Sequence, residues 1–409
     1  MKIDVLVVGG GPAGIGAAVA AARNGAEALL LEGTNCLGGL GTNSLVPMIR
    51  TAGDNGGIVR EYWELLQSCG GCVINETHAN IVPSIGKLAA LDMVLSSGAK
   101  VHFHTLAEGV KMRNNFIESV YTASKDGRTA ITPLIVVDAS GDGDIAAWAG
   151  NPYEKGSEDG KIQALSFNFI INGVELDKRP LPEEFKALVR KAVQNGELEL
   201  PEYSLKKLAL PGNSKMQIDM AFNIDASTQD GLTQAEIICQ KRLFMFWKFL
   251  KKYVSGFEKA VLTDIASYAG VRETRRIIGK KTLCEEDVMK GVKHPDGICR
   301  CSWYMDLHDG QNKDPLKEYR AARAPAPGDY YDIPYGCLVP LKTENLLLSG
   351  RCISSTRAAN GSLRLQTSCM NLGQAAGTAA ALCAKRKISP ATLDPVELRS
   401  ILKQQKMEI

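Results

Sequence analysis

Residues 5–34 read VLVVGGGPAGIGAAVAAARNGAEALLLEGT, and few folds accommodate that order of residue types. "DVLVV" and "ALLLE" are short apolar runs, as in parallel strands buried on both faces. Between them Gly9, Gly11 and Gly14 give the spacing G-x-G-x-x-G. In that spacing the first glycine permits a tight turn and the second lets backbone approach a pyrophosphate. The third lets the following helix pack on the strand, and phosphate sits at that helix's positive end. The helix, "AGIGAAVAAARNG", is built almost wholly of small residues and stops at Asn24-Gly25. Glu32 closes the second strand about 20 residues on, where a carboxylate accepts ribose hydroxyls. Strand, turn, helix, strand and acid together predict a dinucleotide-binding βαβ unit.

A chain of 409 residues is longer than one common core serves, which predicts two domains or one domain with a large insertion. Lys and Arg number 48 against 45 acids, interspersed, so no nucleic-acid or membrane partner is expected. No apolar run reaches the length of a membrane span. "MKIDVLVVGGG" fits a buried first strand better than a signal peptide, because Asp4 and the glycines interrupt it. Eleven cysteines without a regular framework predict free thiols and a cytoplasmic location.

The first motif leaves open which dinucleotide is held. Gly38, Gly39 and Gly41 in "GTNCLGGLGTN" favour a flavin, because bare backbone can run along a long resident cofactor. "LIVVDASGDGD" (134–144) and "NLLLSGR" (345–351) add two further strand-then-glycine turns. "LQTSCMNLGQAAGTAAALCAK" reads as a helix whose small residues Gly373, Ala376, Gly377 and Ala380 suit close packing. Its start would face the electron-rich end of a reduced flavin. The expected fold class is α/β, a Rossmann-like FAD-binding domain assembled from residues 1–150 and 335–409. Residues 151–334 break the βα rhythm and are expected to form an inserted α+β substrate domain. In it, "FNFIINGV" and "QIDMAFNI" alternate like strands, and "PEEFKALVRKAVQNG" reads as a helix. Leu232, Ala235, Ile238, Cys239, Leu243, Phe246 and Leu250 form a helical stripe expected to be core.

The chain resembles the FAD-dependent oxidoreductases of the glutathione-reductase-like and fumarate-reductase-like superfamily, and more closely a bacterial family known by that description alone. The resemblance runs nearly end to end through "VVGGGPAGIGAAVAAARNGAEALLLEG", "GGLGTN", "VVDASGDGDIA", "GVRETRRIIG", "MDLHDG", "DIPYGCLVP", "NLLLSGRCIS" and "MNLGQAAGTAAAL". It implies FAD contacts at Gly9, Gly11, Pro12, Ala13, Gly14, Glu32, Gly33, Gly39, Leu40, Gly41, Ala139, Ser140, Gly141, Gly350 and Arg351. Val110 would approach the adenine through its backbone. No second G-x-G-x-x-G for a nicotinamide is found. The His that carries covalent flavin in succinate and fumarate enzymes is replaced by Thr34-Asn35-Cys36, so the FAD is expected to be non-covalent. No metal is expected.

Hydride transfer at a flavin requires that the accompanying proton be moved. "WYMDLHDG" places Asp306 two residues from His308, so His308 is the expected general base and Asp306 its orienting partner. "GVRETRRIIG" offers Arg272, Glu273, Arg275 and Arg276, guanidiniums suited to an anionic substrate. Arg272 and His308 are the expected catalytic and substrate-binding pair, with Tyr335 as a further substrate contact and Tyr331 as a neighbour. His78, His102, His104 and His294 read as strand or surface residues. Cys69 and Cys72 have dithiol spacing, but a helix ending at Gly70-Gly71 explains them as packing residues. The expected activity is hydride exchange between FAD and a small polar, anionic substrate, with an electron partner the sequence does not specify. The alternatives are an electron-transfer subunit, a flavin-dependent monooxygenase, and a flavin-binding protein without turnover.

Overall fold

The computed structural model describes residues 1–46, 48–50, 56–74, 78–200, 208–210, 213–308 and 324–409. Its main sheet is parallel and runs in the order Lys100–His102, Ala28–Leu31, Lys2–Val8, Gly127–Asp138, with Leu346–Leu348 against the last of these. The strand Gly127–Asp138 does double duty. Its first half pairs antiparallel with Phe116–Ser124, which pairs in turn with Leu106–Arg113. Its second half pairs in parallel with the first strand, Val5 opposite Ile135 and Val8 opposite Asp138. The residues follow the change: in "GRTAITPL" only Ile131 and Pro133 are buried, whereas "IVVD" is buried throughout.

The helix Pro12–Arg23 crosses the helix Gln366–Arg386 with almost nothing between the two backbones. A methyl on Gly16 would lie 2.2 Å from the carbonyl oxygen of Met370. One on Gly373 would lie 2.1 Å from that of Ala13, and one on Gly377 2.1 Å from that of Ala17. The small residues in both segments are therefore required by each other. This contact joins a helix near the start of the chain to one near its end.

The second body is an antiparallel sheet in the order Leu208–Leu210, Asn213–Ala221, Leu165–Asn172, Val261–Ile265. The helices Pro182–Gln194 and Gln229–Tyr253 cover it. Alternation in "LSFNFIIN" assigns the two faces of its central strand. Leu165, Phe167, Phe169 and Ile171 enter the core with Phe185, Phe246 and Phe249. Asn168 turns the other way, its amide donating to the Ser44 carbonyl at 2.6 Å, and Ile170 packs on Leu45 and Val82. The long helix starts at Thr228, whose hydroxyl accepts from the Gly231 amide. Its expected stripe is buried at Ala235, Cys239, Leu243, Phe246 and Leu250, but Leu232 is exposed, one turn ahead of the core.

Residues 151–334 contribute to both cores. The second core holds residues between Leu165 and Val271. Ile277, Leu283, Ile298, Met305, Tyr331 and Ile333 pack into the first. Among the described residues no helix is long and apolar enough to cross a membrane.

Candidate functional site

Three glycines of the first turn answer to different neighbours. Gly9, at φ 103°, has no room for a methyl, which would lie 2.5 Å from the Ala139 carbonyl oxygen. At Gly14 a methyl would lie 1.8 Å from the Gly9 carbonyl oxygen. Gly11 is another case. It has φ −72°, which any residue adopts, and a methyl there would meet nothing closer than Gly39 Cα at 4.0 Å. Packing within the chain does not demand glycine at Gly11; a cradle for a ligand lying on the backbone does. Pro12 opens the helix behind it, and no side chain caps that helix, so its first amides point at the same place.

Several of the expected cofactor residues lie around this turn. Glu32 Oε2 accepts from the Gly10 amide at 2.9 Å, and Oε1 accepts from Thr34 N at 2.7 Å and Oγ1 at 2.8 Å. Gly39 to Gly41 form a 3₁₀ turn that includes Leu40, and Gly39 faces Gly11 closely enough that a methyl would lie 2.9 Å from Gly11 Cα. Gly33 lies under the Leu106 side chain, at the start of the strand that carries Val110. Gly350, at φ 79°, abuts Ala13. Ala139 donates to Val8, and Ser140 is held by Asp138 through both its amide and its hydroxyl. Gly141 (φ 82°) accepts from Arg351 Nε at 2.8 Å, while Arg351 Nη2 donates to Asp142 at 2.6 Å and Nη1 to the Val271 carbonyl. Bare amides, an uncapped helix start, the open face of Gly11 and an acid at the strand end fit the pyrophosphate and ribose of an adenine dinucleotide.

Arg351 also ties this turn to a second cluster, because Val271 adjoins Arg272. Arg272 is buried, and its Nη1 donates to the Ala164 carbonyl at 2.5 Å. The Ala164 amide donates to the His308 carbonyl at 2.8 Å, and the His308 amide to Gln163 Oε1 at 3.2 Å. His308 Nε2 lies 3.3 Å from Asp306 Oδ2. Arg364 Nη2 donates to the Asp306 carbonyl at 2.6 Å and to Gln163 Oε1 at 3.3 Å. Arg272 and His308 are thus linked through Ala164, with Asp306 on the imidazole. Burial alone would raise the Asp306 carboxyl. The His308 hydrogen bond and the charges of Arg364, His308 and Arg272 outweigh it and hold the group at about 2.

Other members of the expected set go elsewhere. "GVRETRRIIG" is not a helix; Arg275–Ile277 form a short strand against Tyr153–Lys155. Arg275 therefore turns away, donating to Asp144 at 2.7 Å and to the Ser227 carbonyl at 3.1 Å. Glu273 is buried between Arg276 Nη1 at 2.7 Å and Arg357 Nε at 3.0 Å, an internal ion pair rather than a clamp on substrate. Tyr335 does not join the cluster. Its hydroxyl donates to the Pro390 carbonyl at 3.0 Å inside the first core, and burial pushes its phenol well up. Tyr331 is buried too, bonded to Ser362. Cys69 and Cys72 are free thiols beyond the helix Gly57–Ser68, and burial raises the Cys72 thiol. Cys36 donates to Asn43 Oδ1 at 2.9 Å. His294 pairs with Asp287, and His102 lies on an exposed strand position. The side chain of His78, and residues 309 and 310 of "MDLHDG", lie outside the described residues.

Gln163, Arg357 and Arg364 are not among the residues expected from sequence. The two arginines stand seven apart in "RAANGSLR", so they return to one face of the short helix Arg357–Leu363 or its end. Charged residues at that spacing amid Ala, Gly and Ser were the available signal. Gln163 carries none, since its place depends on the fold of "IQAL" against residues 306–308.

The chain matches the family described as FAD dependent oxidoreductase over residues 4–402. Its fold is similar to that of p-nitrophenol 4-monooxygenase PnpA from Pseudomonas putida, at TM-score 0.51 and 10% identity, over 98% of this chain and 86% of that one. It is also similar to the flavin-dependent brominase Bmp2, at TM-score 0.50 and 12% identity, over 99% of this chain and 83% of that one. These two likenesses concern the fold. The family match, which spans both the glycine turn and the arginine cluster, places the chain in the FAD dependent oxidoreductase family.

Proposed function

We propose that the protein exchanges a hydride between non-covalently held FAD and a small polar organic substrate bound at the arginine cluster. The Asp306–His308 pair, 3.3 Å apart beside buried Arg272, carries this reading. Bound FAD supplies the two-electron acceptor or donor. The chain's own side chains do the rest. With Asp306 on Nε2, the imidazole is held in the tautomer whose Nδ1 exchanges the substrate proton. Arg272, anchored on Ala164, orients the substrate's polar group. The cofactor contacts are Gly9, Gly11, Pro12, Ala13, Gly14, Glu32, Gly33, Gly39, Leu40, Gly41, Val110, Ala139, Ser140, Gly141, Gly350 and Arg351. Tyr335 is left out of the substrate set because its hydroxyl is bonded to Pro390.

On this reading residues 1–150 and 335–409 hold the cofactor and 151–334 cover it, the later part of the cover also bracing the cofactor body. The thiol of Cys36, bonded to Asn43, supports a dissociable flavin. Eleven free thiols fit a reducing cytoplasm.

Anaerobic titration of the flavin-loaded protein with hydroxy acids, sugars and amines tests the reaction. Substrate alone should bleach the flavin, and His308→Ala should slow bleaching by roughly 10²- to 10⁴-fold while FAD stays bound. Unchanged bleaching in that variant would remove His308 from proton transfer. Bleaching by NADPH that requires substrate, followed by oxygen uptake, would replace the reading with a monooxygenase.

A further inference from the structure

We propose that the substrate is an organic carboxylate without an amine, its oxygens bound by Gln163 and Arg364. This rests on the hydride-transfer reading for the location of the site and on separate observations for the ligand. Gln163 is 1% exposed, and its Oε1 accepts from both the His308 amide and Arg364 Nη2. Both neighbours are donors, so the orientation of the amide is fixed and Nε2 must point away from them. That Nε2 has no hydrogen-bond partner among the described residues, and neither has Arg364 Nε, although both atoms are sealed from solvent. A buried donor left unpaired is costly. Both orphans here are donors, and their complement is an acceptor.

Charge points the same way. Glu273 is already taken by Arg276 and Arg357. Arg272 and Arg364 both bear on Asp306, and Arg272 opposes the charge on Arg364. Burial lowers the Arg364 guanidinium to about 10, against the pull of Asp306 and with the help of Arg272. An anion relieves that charge imbalance and an ammonium adds a third cation to it, so amino acids and simple amines should bind less well. A carboxylate offers two oxygens with about four acceptor positions, enough for Nε2 and Nε together.

The test uses the flavin-loaded protein and ligands of one skeleton. Pyruvate cannot donate a hydride, so changes in the flavin absorbance band during its titration report binding alone. Pyruvate, and the longer 2-oxoglutarate, should bind saturably, with pyruvamide weaker by roughly 30-fold through the loss of one charge-assisted contact and alanine weaker through the repulsion of its ammonium. Gln163→Glu should abolish pyruvate binding and Gln163→Leu should weaken it by roughly tenfold, both with full FAD content. The uncharged leucine variant keeps the test sound if the charged variant fails to fold. Equal binding of pyruvamide or alanine, wild-type binding by Gln163→Glu, or no binding by either acid would overturn the proposal. If acids bind as described but none exchanges electrons with the flavin, the hydride-transfer reading fails and the carboxylate site stands. If neutral compounds bleach the flavin through His308 with no preference for acids, the reverse holds.

Discussion

The turn after the first strand and the cluster around His308 are built in opposite ways. At the turn side chains are missing, and naked amides at an uncapped helix start line it. At the cluster, side chains from residues 163, 272, 306, 308 and 364 converge, and much of their hydrogen bonding goes to carbonyls of one another's segments. A backbone site suits a cofactor of constant shape that is present through every turnover. A side-chain site can be altered one residue at a time, as befits a group that sorts substrates. Tolerance to mutation should divide along the same line.

The largest effect is expected inside the turn itself. Gly14→Ala puts a methyl 1.8 Å from a carbonyl oxygen, a clash that backbone must absorb, and should cost more than about 4 kcal/mol. Little folded protein should be recovered, as judged by circular dichroism and solubility. Gly11→Ala sharpens the contrast. It should melt as the wild-type apoprotein does, yet retain on the order of tenfold less FAD by absorbance, about 1.4 kcal/mol. Normal flavin content in Gly11→Ala would break the distinction between glycines required by the chain and the glycine required by its ligand.

At the cluster the expected change is a dependence on pH. The Asp306 carboxyl is held at about 2, below its ordinary value, by His308, Arg364 and Arg272 acting against burial. The proton is therefore taken up more readily by the unfolded chain. The stabilisation is present in full above the unfolded value near 4 and is lost as pH falls through 2. Melting curves between pH 5 and 2 should show it, and Asp306→Asn should flatten that part of the profile. A profile identical to wild type would mean the carboxylate is not paired. The smallest effect should come from Cys69→Ser with Cys72→Ser. Both thiols are free and outside the two clusters, so the rate of flavin reduction should be unchanged. A tenfold loss would reopen a dithiol role.

The same contrast explains what could be read from the sequence. The turn is local: Gly9, Gly11, Gly14 and Glu32 fall within one βαβ unit, and the spacing that makes them recognisable is the spacing that makes them work. The inserted sheet was legible for a similar reason, since alternation in "LSFNFIIN" is itself the assignment of faces. The cluster was legible only in part. Asp306 and His308 meet because they are two apart in extended chain. Arg275 leaves the cluster because the short strand Arg275–Ile277 turns it to Asp144 and the Ser227 carbonyl, a pairing no local spacing announces. Tyr335 was misplaced because nothing in "IPYG" announces that Pro390 will take its hydroxyl. Gln163 enters only through contacts more than a hundred residues away in the chain.

The crossing of the helices Pro12–Arg23 and Gln366–Arg386 has a consequence for synthesis. Gly16 meets Met370, and Gly373 meets Ala13, at distances no side chain could bridge. The nucleotide helix therefore emerges from the ribosome with its main packing partner some 350 residues from being made. Throughout that interval a nearly all-apolar surface of alanine and glycine has no cover. This crossing can therefore close only once both ends of the chain have been made.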